Sequence, residues 1–101
     1  MAFWIIVVDD DVTNLKVAGQ ILSKNNMRVT ALKSGRGLLD YVRENGAPDL
    51  ILLDINMPEM DGFETYTNFR ALEKELGIQE IPIVLLTADE DKTNEDRKSV
   101  V

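Results

Sequence analysis

The chain has 101 residues, 45% of them hydrophobic and 29% charged, with 11 basic against 18 acidic side chains and a net charge of −7. That length leaves room for a single domain over residues 1–101 with a modest core, the composition is that of a soluble globular protein, and no apolar run is long enough to cross a bilayer. The acidic balance has the wrong sign to attract a phosphate backbone or anionic lipid, which excludes nucleic acid and membrane as expected partners of this chain, and the lack of cysteine excludes disulfides and thiolate metal sites and fits a cytoplasmic setting.

Phe3 to Val8 is uniformly apolar, follows no basic stretch of the kind a signal peptide carries, and runs into Asp9-Asp10-Asp11; it reads as a central strand. From Thr13 to Lys24, Leu15, Val17, Ala18, Ile21 and Leu22 follow helical spacing and predict a first helix. Asn25-Asn26 ends it, and Met27 to Leu32 mixes polar and β-branched residues as an edge strand does. Ser34 is the expected cap of a second helix through Leu38, Leu39, Tyr41 and Val42, which stops near Asn45-Gly46.

Leu50-Ile51-Leu52-Leu53-Asp54 is an aliphatic run delivering a carboxylate, with Ile55-Asn56-Met57-Pro58 behind it. Unbroken apolarity suits a strand covered on both faces, and in parallel sheets ligands sit beyond the carboxyl ends of the strands. Asp61 followed by Glu64 has capping-box spacing, and Tyr66, Phe69, Leu72 and Leu76 continue a third helix to Gly77. The linker Glu73 to Glu80 reads as surface. Ile81 to Thr87 is the fourth strand, Pro82 being tolerable at its start. Between Asp89 and Lys98, eight of ten residues are charged, which predicts at most a weak helix over the remainder.

The alternation of strands and helices predicts a doubly wound α/β fold with a parallel sheet in the order 2-1-3-4 and right-handed crossovers. Its fourth strand is too apolar for an open edge, so either a further strand is missing or another chain covers it, and self-association through that edge is expected.

With the first and third strands adjacent, Asp9, Asp10 and Asp54 converge. Grouped carboxylates stay ionised together when a cation offsets them, and all-oxygen ligands suit Mg²⁺. Thr87, ending the fourth strand at the same edge, can donate a hydrogen bond to an oxyanion, which makes Asp54 a candidate nucleophile for phosphoryl transfer. Singly, each feature has a plainer reading. An Asp-rich strand end is usually a solvated turn, Asp11 is charge at a helix N-terminus, Asp61 is a helix cap, a lone threonine at a strand end is a cap, and Phe3, Trp4, Tyr66 and Phe69 are core or interface aromatics. Convergence is what favours the site.

At these residues the chain resembles the receiver domain of two-component response regulators, which has a flavodoxin-like fold. The resemblance rests on Asp9-Asp10 after the first strand, on Asp54-Ile55-Asn56-Met57-Pro58 followed by Asp61-Gly62, and on Leu86-Thr87-Ala88. It implies that Asp54 accepts a phosphoryl group from a histidine kinase or phosphotransfer protein. It also implies that Asp10, Asp54 and the Asn56 carbonyl hold Mg²⁺ with Asp9 assisting through water, and that Thr87 is the switch residue. The family pattern continues into a fifth strand bearing Lys-Pro and a fifth helix; Lys92 and Lys98 fall in the charged tail without a following proline, so the lysine role passes to no residue and the domain reads as C-terminally incomplete. Two alternatives stand beside the phosphoacceptor reading. One is a receiver-like interaction module that self-associates without phosphorylation. The other, an aspartate-nucleophile phosphatase, wants a carboxylate where Asn56 stands.

Overall fold

In a computed structural model, residues 3–57, 59–88 and 98–100 are described. Strands β1 (Trp4–Val8), β2 (Arg28–Leu32), β3 (Leu50–Asp54) and β4 (Ile83–Ala88) alternate with helices α1 (Val12–Lys24), α2 (Gly35–Asn45) and α3 (Gly62–Leu76), and a short strand β5 (Lys98–Val100) follows. The sheet order is β2-β1-β3-β4-β5; all pairings through β4 are parallel, as the alternating order requires.

Alternation of side chains sorts the central strands into two cores. Ile6, Val8, Ile51 and Leu53 pack with Leu38 and Val42 of α2 and with Phe69 and Leu72 of α3. Ile5 and Val7 face the other way, onto Leu15 of α1, with Leu50 and Leu52 beside them. Placing helices on both faces is what makes β1 and β3 apolar without alternation. β2, at one edge, is correspondingly half wet.

The helix ends are set by the residues the sequence singles out. Asp11 accepts from the Thr13 amide, Ser34 from Gly37 and Asp61 from Glu64. Gly77 closes α3 in the left-handed conformation, at φ 70°, where a side chain would be strained. No helix among the described residues is long and apolar enough to cross a membrane.

Two expectations change. Ala88 lies in β4 and Lys98–Val100 forms a strand, antiparallel to Leu86–Ala88, where the sequence reading has a weak helix; residues 89–97 fall outside the described ones. Lys98–Val100 is too short to bond to itself as a helix, whereas the outer edge of β4 offers it unpaired N–H and C=O groups. The sheet therefore gains a final strand, although not a parallel one, and the edge expected to drive self-association is covered from Leu86 to Ala88. The second change is in the Glu73 to Glu80 linker. Glu73 is buried, accepts two bonds from Arg70 at 2.8 and 2.9 Å, and takes the Ile81 amide at 2.7 Å. Arg70 also reaches the Ile81 carbonyl at 3.0 Å, so this turn is a fastening between α3 and β4 rather than plain surface.

Candidate functional site

Asp54 is the last residue of β3, and its backbone lies opposite Leu86 in the β3–β4 ladder. The pairing runs one step past the carboxylate, with the Ile55 amide donating to the Leu86 carbonyl at 3.0 Å. A side chain at a strand tip is often mobile; this one is buried and its backbone is held on both sides of its Cα.

Asp9 follows β1 directly, and its amide donates to the Leu32 carbonyl, which ties it to the end of β2. Its carboxylate accepts the Asp11 amide at 2.9 Å and the Asn14 side-chain amide at 3.2 Å. The carboxylate is thereby aimed by the first turn of α1. Asn14 carries no motif, and only its position on that turn, five residues after Asp9, points to it.

Asp9, Asp10 and Asp54 each offer a carboxylate oxygen within 4.8 Å of the others; Asp9 and Asp54 are each 5% exposed and Asp10 is open to solvent. The sheet order produces this meeting, because β1 and β3 are neighbours and both end here. At such separations the repulsion between negative charges is substantial even at a surface dielectric. An oxygen-only cluster with one solvent-facing member fits a hard divalent cation that keeps some of its water, a class to which Mg²⁺ belongs.

The loop after Asp54 is closed by one acceptor. The Ile55 carbonyl takes the Met57 amide at 3.2 Å and the Gly62 amide at 2.8 Å, which brings the start of α3 back against the strand end. Asn56 is exposed within that loop, and Pro58 lies outside the described residues. Gly62 is essential to the closure: a Cβ there would stand 2.5 Å from the Ile55 Cα and 2.7 Å from the Asp54 carbonyl oxygen, both backbone atoms that cannot yield. The Asp-Gly pair therefore does two jobs, capping α3 and letting the helix end abut the site. Thr87 is the next-to-last residue of β4, one step beyond the position opposite Asp54, and its backbone pairs with Ser99.

The family model for the response regulator receiver domain matches residues 5–99. The chain is 40% identical over 86 residues, 84% of its length, to hybrid signal transduction histidine kinase M of Dictyostelium discoideum, and 40% identical over 72 residues, 71% of its length, to histidine kinase 2 of Arabidopsis thaliana. It spans only 4% and 6% of those two proteins. Among solved structures, it is similar to the N-terminal domain of a response regulator receiver protein from Methanoculleus marisnigri, with a TM-score of 0.77 and 32% identity over 88% of this chain and 69% of that one. It is likewise similar to the receiver domain of the Arabidopsis thaliana histidine kinase CKI1 complexed with Mg²⁺ and BeF₃⁻, with a TM-score of 0.73 and 29% identity over 86% of this chain and 66% of that one. With the parallel order of β1 to β4 and the acidic cluster at their carboxyl ends, these matches establish that the chain belongs to the response regulator receiver domain family, the signalling domain of two-component systems, and is related to the receiver domains of histidine kinases.

Proposed function

We propose that this domain is a phosphoacceptor, taking a phosphoryl group on Asp54 from the phosphohistidine of a histidine kinase or phosphotransfer protein. The observation that carries the reading is the convergence of the Asp9, Asp10 and Asp54 oxygens within 4.8 Å. The similarity to a receiver domain crystallised with Mg²⁺ and BeF₃⁻ supports it.

Asp10 and Asp54, with the Asn56 carbonyl, would hold Mg²⁺, and Asp9 would assist through water. When bound, the cation supplies positive charge that offsets the carboxylates and the phosphoryl oxygens. The chemistry itself belongs to Asp54. A carboxylate oxygen forms the new bond to phosphorus as the phosphorus–nitrogen bond of the donor imidazole breaks, and the bonding pair leaves with the imidazole. Asp9, its oxygens engaged by the Asp11 amide and Asn14, is held beside the site without competing as nucleophile. Thr87 is the switch residue, its hydroxyl a donor to a phosphoryl oxygen once one is present, and the modified domain shifts between two conformations. The domain acts as a regulated signalling part rather than as an enzyme with a separate substrate.

The test is treatment with beryllofluoride and, separately, with a small-molecule phosphodonor, each with Mg²⁺, on the wild-type chain and on Asp54→Asn. The wild type should show amide shift changes around Asp54 and Thr87 and incorporation of one phosphoryl group that alkali or hydroxylamine removes, and the variant neither. Equal labelling of the two proteins would overturn the assignment of Asp54.

A further inference from the structure

Thr65 sits in the first turn of α3 with none of its surface exposed. Its hydroxyl donates to the Asp61 carbonyl at 2.8 Å, an oxygen that already accepts the Thr65 amide at 2.9 Å. A back-bond of this kind, from a helical threonine to the carbonyl four residues earlier, adds little to helix stability and tends to bend the helix. A buried apolar residue of the same shape would pack as well. What distinguishes this hydroxyl is where its acceptor lies: Asp61 is the N-cap residue, the next residue is Gly62, and the Gly62 amide is what folds the loop back on the Ile55 carbonyl beside Asp54 and Asn56.

The same helix contains an internal comparison. Thr67 makes the equivalent bond to the Phe63 carbonyl at 3.1 Å, but it is exposed and its acceptor serves nothing beyond the helix. Thr65 is instead pinned from the other side by α2. A Cβ at Gly35 would lie 2.0 Å from the Thr65 hydroxyl oxygen, so α2 begins with a glycine against that oxygen and leaves it little freedom to rotate away from Asp61.

We infer that Thr65 is a positioning residue for the Asp54 loop: its buried hydroxyl, held between Gly35 and the Asp61 carbonyl, fixes the first turn of α3 and through Gly62 the backbone from Ile55 to Met57. The inference deepens the phosphoacceptor reading, resting on Asn56 and Asp54 as the groups that hold the cation. Groups that orient ligands without touching the metal commonly matter tenfold or more to its affinity, and Thr65 stands one step further out.

The variants are Thr65→Val, which keeps the shape and removes the hydroxyl, Thr65→Ser, which keeps the hydroxyl, and Thr67→Val as the control. Two readouts are taken by NMR on the whole chain: hydrogen exchange of the Gly62 amide without Mg²⁺, and a Mg²⁺ titration followed at the Asp54 and Asn56 amides. Thr65→Val should speed exchange at Gly62 about fivefold and weaken Mg²⁺ binding about three- to tenfold with the melting temperature little changed, while Thr65→Ser and Thr67→Val stay near wild type. Unchanged exchange at Gly62 with normal Mg²⁺ binding in Thr65→Val overturns the positioning role and leaves the metal reading intact. Faster exchange in that variant, with no Mg²⁺ response in the wild type, upholds the fixing of the loop and sinks the metal reading instead.

Discussion

Two ends of the same sheet bury carboxylates to the same degree and use them in opposite ways. At the amino end of β4, Glu73 is 4% exposed and engaged by Arg70 and by the Ile81 amide. At the carboxyl ends of β1 and β3, Asp9 and Asp54 are each 5% exposed and bring their oxygens together with one from Asp10. Burial alone therefore says nothing about role. The company each keeps does: a carboxylate bonded to a guanidinium ties two elements together, whereas carboxylate oxygens gathered with others concentrate negative charge that a cation would offset.

The sharpest way to break this contrast is to remove Glu73. Glu73→Ala strips the Ile81 amide of its acceptor and leaves Arg70 half-buried without its main partner; among the described residues the Arg70 Nε makes no hydrogen bond, a Glu80 oxygen standing 3.8 Å away. Burial pulls the Arg70 guanidinium down, but the bonds to Glu73 and Tyr66 outweigh it and hold its pKa above the ordinary value. Breaking such a pair costs about 2–3 kcal/mol, a fall of about 10 °C or more in melting temperature for a domain of this size. Glu73→Gln, which keeps an acceptor for Ile81, should lose roughly half as much. A thermal melt of Glu73→Ala within 2–3 °C of wild type would show that the fastening is not structural.

The acidic end should respond with the opposite sign. Asp10 is the exposed member of the cluster, so Asp10→Asn removes one repelling charge without leaving a buried hole. In chelator, the variant should melt about 2–4 °C above wild type, and the stabilisation that Mg²⁺ gives the wild type should be largely lost. If both proteins gain equally from Mg²⁺, Asp10 is no ligand; if the variant melts lower in chelator, the cluster stores no repulsion.

How much of this contrast is legible in the sequence differs between the two ends. The carboxyl end is, because apolar runs that stop at Asp9 and Asp54 give strand identity and adjacency, and with them the meeting of the carboxylates, and Asp61 and Ser34 mark helix starts at the positions where the caps form. The supporting residues are not. Asn14 and Thr65 look like ordinary helix positions until the fold shows which carboxylate or carbonyl stands beside them. Glu73 is harder still: nothing local separates it from Glu75 two residues on, and its burial follows from the Arg70 side chain and the path of the chain into β4. The strand at Lys98–Val100 escapes for a related reason, since three residues carry no period and their pairing is decided by the edge they meet.

The smallest effect belongs to a pair that resembles the Arg70–Glu73 fastening in chemistry and differs in exposure. Arg43 on α2 and Glu75 on α3 meet through two bonds of 2.6 and 3.2 Å, yet both side chains are about half open to water. The hydrogen bond from Arg43, and then its charge, hold the Glu75 carboxyl below its ordinary value of 4.5. A carboxyl depressed in the folded state adds stability that is fully present above its unfolded value and is lost as pH falls through the folded one. Stability should therefore drop slightly more steeply in the wild type than in Arg43→Ala as pH falls below 4.5, and the two should differ by no more than about 1–2 °C at neutral pH, since water screens an exposed pair and salt weakens it further. A large loss in Arg43→Ala at pH 7, matching that of Glu73→Ala, would mean that the ion pair itself, and not its burial against the β4 entry, is what fastens α3 in place.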